Sequence, residues 1–180
     1  MMTRIGTVLV LATAVLAGCA VSMVPEGEAG YRLPLGATVV LQQDLSVPAG
    51  HARVFLQHGL VVAKHRLEPY QPHCNFEQRA VSDGTAYISA DRFAVTAVSA
   101  GEDFVVQRRP YIYAALRMAD DDNSPGLVNR YFHYRLAAER QPQVMRLTCH
   151  GGFDLPGVAQ LPSLADILHA LGEVATIELP

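Results

Sequence analysis

The sequence predicts a mainly β fold, an antiparallel β-sandwich or partly open barrel with one C-terminal α-helix. Three observations carry that expectation. Short runs rich in β-branched and aromatic residues recur between turn residues. Apolar positions within several runs alternate with period two. One window near the end of the chain switches to helical period. The 180 residues, 50% of them hydrophobic, suffice for one domain with a sizeable core and are few for two.

The elements follow in order. Ala37–Gln42 is β-rich, and Val47-Pro48-Ala49-Gly50 is a turn. His51–Gln57 and Leu60–Arg66 flank His58-Gly59, the signature of a hairpin. Ser82-Asp83-Gly84 is a turn, and Thr85–Ser89 and Phe93–Val98 are strands. Asp103–Arg109 and Tyr111–Met118 read as extended, with a bend or an edge position at Pro110. Ala119–Gly126 is a polar loop. In Asn129–Ala137, Arg130, Phe132, Tyr134 and Leu136 share one face, and Tyr131, His133 and Arg135 share the other. Gln143–Cys149 is the next strand. Ser163-x-x-Asp166 is a capping box with Asp in place of Glu. Leu164, Ile167, Leu168 and Leu171 then form an apolar helical stripe that ends at Gly172. Val174–Leu179 is a last short strand.

The first 18 residues, MMTRIGTVLVLATAVLAG, place Arg4 before an apolar run from Ile5 to Leu16. A membrane-spanning helix needs about 20 apolar residues. This run is shorter and ends in small residues, the pattern of an export signal. Its end, Leu16-Ala17-Gly18-Cys19, resembles the lipobox of bacterial lipoproteins. That resemblance implies cleavage after Gly18, diacylglycerol on the Cys19 thiol and acylation of the new N-terminus. Two or more chains make a stable anchor, because each buried CH₂ contributes about 0.8 kcal/mol. The family's sorting rule retains a lipoprotein at the inner membrane when Asp follows the cysteine. Ala20 and Val21 stand there, so the resemblance implies the outer membrane, with the body facing the periplasm. Tyr70-x-Pro-x-Cys74-x-Phe76-Glu77 and Val47–Gln57 look similar to segments of uncharacterised proteobacterial periplasmic lipoproteins, a group that brings no activity with it.

The chain therefore divides into a signal peptide over 1–18, the lipidated cysteine and a flexible tether over 19–36, and a single β-rich periplasmic domain over 37–180. The tether, with Pro25 and Gly27, enters the fold near Tyr31. With Cys19 lipidated, Cys74 and Cys149 remain. In an oxidising compartment they are expected to form a disulfide. Such a loop of about 75 residues contributes roughly 4 kcal/mol in the chain-entropy model. Two free thiols or a metal site are the alternatives.

The charge balance, 14 Lys+Arg against 17 Asp+Glu, excludes an electrostatic nucleic-acid footprint. No P-loop, dinucleotide fingerprint or C-x-x-C occurs, so no cofactor is expected. Asp120, Asp122 and Ser124 fall at the odd positions of a calcium loop. Pro125 and Tyr131 stand where such a loop needs Gly and a bidentate Glu. His150-Gly151-Gly152 has the form of an esterase oxyanion segment without the G-x-S-x-G elbow. The glycine pair fits better as a turn after a strand ending at Cys149.

Seven histidines are many for this length. His51, His58 and His65 recur every seven residues, and an odd spacing alternates strand faces, so they read as solvated strand ends and turns. His73 and His150 are different, because each neighbours a cysteine of the expected bridge. They are the weak candidates for a Cu(II) or Zn(II) site, with Glu77 or Asp154 as a further ligand. Tyr111, Tyr113, Tyr131, Phe132 and Tyr134 read as cross-strand pairs. A partly exposed tyrosine face beside Arg117, Arg130 and Arg135 would instead suit a partner or polysaccharide surface.

The function expected is that of a non-enzymatic envelope interaction or accessory protein, with the membrane and envelope proteins as partners. A small-ligand or Cu/Zn-binding module is the alternative, and an envelope hydrolase the second alternative.

Overall fold

The computed structural model describes residues 28–104 and 126–180. Ten strands occur among them: β1 Thr38–Leu41, β2 Leu45–Val47, β3 Arg53–Gln57, β4 Leu60–Val62, β5 His73–Gln78, β6 Ala86–Ile88, β7 Asp91–Phe104, β8 Val128–Ala137, β9 Val144–Asp154 and β10 Ala175–Glu178. One helix, α1, spans Leu164–Leu171. Eight strands form one antiparallel sheet in the order β10-β1-β7-β8-β9-β5-β3-β4, curled into a half-barrel; β2 and β6 form a separate ribbon. The fold class is thus as the sequence predicts, in its open-barrel form.

The inner face of the sheet follows the period-two pattern. Val39, Val54, Phe76, Phe93, Phe132, Tyr134 and Leu147 are all buried there. Each such side chain contributes about 1.5–3 kcal/mol through burial. The β2–β6 ribbon adds Leu45, Val47 and Ile88 to the same core, and α1 adds Leu164, Ile167, Ala170 and Leu171. The helix starts as expected. The Ser163 hydroxyl accepts from the Asp166 N–H, and the Ser163 N–H donates to Asp166 Oδ2 at 2.9 Å. Gly172 ends it, its N–H donating to the Leu168 carbonyl. Leu168, placed on the apolar stripe by its spacing, is exposed, and Ala170 takes the buried position.

The His58-Gly59 hairpin is as expected, both residues adopting positive φ (53° and 73°) with Gln57 opposite Leu60. Five details differ from the expectation. Leu45–Val47 is a strand, so Val47, read as the first residue of a turn, pairs with Ala86 and is buried. Lys64–Arg66 leaves the sheet as a 3-10 turn. β7 is one strand of 14 residues that runs through Gly101. β5 has no alternation to betray it, since all six of its residues are buried. β9 continues to Asp154, so the Gly151-Gly152 pair lies inside a strand rather than in a turn. A Cβ on Gly151 would come within 2.2 Å of the Gln160 carbonyl oxygen, and one on Gly152 (φ 94°) within 2.6 Å of the Tyr70 carbonyl oxygen. The pair therefore admits two other stretches of backbone against the strand.

Upstream of β1, Leu33 is buried in the core, and the Gly30 N–H donates to the Pro162 carbonyl. No helix among the described residues is long and apolar enough to cross a membrane. Cys19, the extended Tyr111–Met118 run and the Ala119–Gly126 loop lie outside the described residues, apart from Gly126.

Candidate functional site: the outer face of the sheet

Cys74 and Cys149 stand directly opposite each other on β5 and β9 and form a disulfide, with Cα atoms 4.1 Å apart. Both are fully buried on the inner face. Their sequence neighbours therefore point outward. This separates the two halves of each His-Cys dipeptide: the cysteines enter the core, and His73 and His150 meet on the other side of the sheet.

Three rows of side chains cross that outer face in register. The first runs Gly101, Tyr131, His150, His73 over β7, β8, β9 and β5. The second runs Ser99, His133, Thr148, Asn75, Phe55 and reaches β3. The third runs Ala97, Arg135, Arg146, Glu77, Arg53. The split of β8 predicted from its alternation is realised here, with Tyr131, His133 and Arg135 outward and Phe132, Tyr134 and Leu136 in the core.

In the first row the His73 and His150 rings stack nearly parallel, 4.5 Å between centroids and 10° between planes. Tyr131 packs on both His150 (5.1 Å) and His133 (4.5 Å). Its ring lies across Gly101, where a Cβ would come within 2.6 Å of it. His73 Nδ1 bonds the Gln71 carbonyl at 3.1 Å, which fixes it as the donor. His150 Nδ1 is shut off from solvent and has no hydrogen-bond partner among the described residues. Burial pushes the His150 imidazole down to about 3, with the neighbouring His73 and His133 adding to the shift. Burial also lowers His73, against the pull of the Gln71 carbonyl. Both rings are therefore neutral near pH 7.

A metal needs lone pairs that converge on one point, whereas stacked rings direct theirs side by side. Glu77, named as a further ligand, is engaged elsewhere, and no cluster of three or more metal-ligating side chains occurs among the described residues. In the second row, His133 Nδ1 and Thr148 Oγ1 lie 2.8 Å apart. Thr148 is buried, so this pair holds the imidazole in place rather than offering a nucleophile.

The third row is electrostatic. Glu77 accepts from Arg146 Nε at 2.7 Å and from Arg53 Nη2 at 3.3 Å. Burial pushes its carboxyl up, but the hydrogen bonds from Arg146 and Arg53 outweigh this and hold it below its ordinary value. A depression of about 330 Å³ opens beside this row, lined by Ser99, His133, Arg135, Arg146 and Met145 among others. Burial and then the Arg146 charge lower His133.

A second histidine pair lies outside these rows. His58 Nδ1 and His169 Nε2 approach to 2.9 Å, joining the β3–β4 hairpin to the last turn of α1. The two are 111 residues apart, and nothing local in the sequence pairs them. His51 and His65 are exposed, His65 within the 3-10 turn, as expected of solvated strand ends and turns. Comparison with protein families, curated proteins and solved structures finds no match to this chain.

Proposed function

We propose that this chain is a lipid-anchored envelope protein that acts by contact, without catalysing a reaction. Cys19 carries the lipid, the outer membrane holds it, and the body faces the periplasm. The observation that carries this reading is the Cys74–Cys149 bridge. It uses both cysteines of the body and suits an oxidising compartment. Cys19 alone is left over, and it sits in Leu16-Ala17-Gly18-Cys19 behind a short apolar run. The contact surface is the outer face of the sheet, where Tyr131, His133, Arg135 and Arg146 stand together on adjacent strands. Aromatic residues and arginine are the types enriched where proteins meet partners.

The test is metabolic labelling with a fatty acid, combined with membrane fractionation. Wild type should carry label and sediment with membranes, and Cys19→Ser should lose both. Label retained in Cys19→Ser would refute the anchor. Crosslinking in intact cells then identifies the partner, and substitutions at Tyr131 and Arg135 should weaken that crosslink.

A second reading, a small-ligand or Cu/Zn-binding module, rests on the His150 Nδ1 that has no partner among the described residues beside His73, and as a metal site it requires the two rings to turn out of their stack so that their lone pairs converge. Stoichiometric copper or zinc that disappears in a His73→Ala/His150→Ala double variant would displace the first reading.

A further inference from the structure

We infer that the depression at the Arg135 end of the outer face is an anion-binding site, shaped for a phosphoryl group carried on a larger molecule. The inference does not depend on the lipid anchor. It starts from the register. Arg135 on β8 stands directly opposite Arg146 on β9, and like charges in that position repel. The row holds three guanidinium groups, Arg53, Arg146 and Arg135, against one carboxylate, Glu77. Glu77 engages the first two, and Arg135 has no acidic partner among the described residues. Two like charges held face to face, one of them uncompensated, form an arrangement that an oxyanion would relieve.

The other groups at the depression fit the same ligand. Arg146 uses Nε on Glu77, which orients its guanidinium and leaves its terminal nitrogens to donate elsewhere. His133 uses Nδ1 toward Thr148, so Nε2 is the ring nitrogen left to meet a ligand, and the residue lines the depression. Ser99 stands opposite His133 and supplies a hydroxyl from a third strand. A bulge in β7 between Val95 and Ala97 re-aims the strand beside the cavity. Two guanidiniums, an imidazole and a hydroxyl arriving from three strands suit a tetrahedral oxyanion with several acceptor oxygens. At about 330 Å³ the depression exceeds the anion itself, so the phosphoryl group arrives on a larger body. A phospholipid headgroup and a soluble phosphate ester share this chemistry.

The full-length protein, purified in detergent, is titrated at low ionic strength with inorganic phosphate and with glycerol phosphate, and the His133 imidazole is followed by NMR. Among the described residues, the groups that act electrostatically on His133 are Arg146 and His150 on β9, Glu77 on β5, Arg53 on β3 and Asp103 on β7. A bound oxyanion should raise the His133 titration midpoint, because it offsets the Arg146 charge. Arg135→Gln, an exposed change that breaks no side-chain bond among the described residues, should weaken binding by about tenfold. Arg53→Gln, at the far end of the row, should change it by less than about twofold, since a distant exposed charge is screened. Glycerol phosphate should bind more tightly than inorganic phosphate, as a headgroup or ester ligand requires; the reverse order overturns the larger ligand. Binding of neither probe, or an unchanged affinity in Arg135→Gln, overturns the site. Equal losses in Arg135→Gln and Arg53→Gln would reduce it to diffuse charge and overturn it as well.

Discussion

Glu77→Gln should destabilise the protein by about 2–3 kcal/mol at neutral pH, and the loss should fade in acid. The side chain is 11% exposed and accepts from two arginines. Arg146, 26% exposed and bonded at 2.7 Å, carries the larger share. A hydrogen bond to a charged group is worth about 1.5–3 kcal/mol. Arg53 is 48% exposed, so solvent reduces its share to about 0.5 kcal/mol. The Gln amide oxygen can still accept one bond, which keeps the total at the lower end of the sum of the two. The pH dependence follows from the depressed carboxyl. Its contribution is complete above its unfolded value of 4.5 and disappears as pH falls through the lower folded value. Urea denaturation of wild type and variant at neutral pH and well below 4.5 measures both parts. A variant within about 0.5 kcal/mol of wild type at neutral pH would refute the reasoning, since that is the range of an ordinary surface change. A penalty of the same size in acid would refute it too.

Three further outcomes are expected. Cys149→Ala should cost about 4 kcal/mol through the lost loop constraint and should expose one free thiol at Cys74 to a thiol titration after unfolding. Native protein should show neither Cys74 nor Cys149 as free. Gly152→Ala should cost more than about 1 kcal/mol in thermal denaturation, because φ is 94° and the added Cβ meets the Tyr70 carbonyl. The folded His150 imidazole titrates at about 3 against 6.5 when unfolded, so the unfolded chain takes up that proton first. Stability should therefore fall as pH drops from 6.5 toward about 3, and His150→Gln should flatten that slope in urea titrations.

The fold was legible where one face of a strand is wet. β8 alternates, and its two faces came out as read, Phe132 and Tyr134 in and His133 and Arg135 out. The α1 cap is local chemistry, and Ser163 with Asp166 announced it. β5 was not legible as a strand, because His73, Asn75 and Glu77 are buried on the outer face by their neighbours in the three rows. Polar residues enclosed by other polar residues leave no alternation to read. Of the site, the meeting of His73 and His150 followed from the bridge, yet their parallel stacking depends on a register that spacing does not reveal. The Arg135–Arg146 opposition and the His58–His169 contact are products of long-range pairing and were beyond the reach of sequence.

The Cys74–Cys149 bond also turns the middle of the chain into a covalent ring. β6, β7 and β8 all lie within it, and so do residues 105–125. A single backbone cut anywhere in that ring opens it without dividing the molecule. Non-reducing electrophoresis would show one band, and reduction would release two. The signal cleavage expected between Gly18 and Cys19 lies outside the ring and frees its product at once. A copy nicked inside the ring keeps both pieces joined until a reductant separates them.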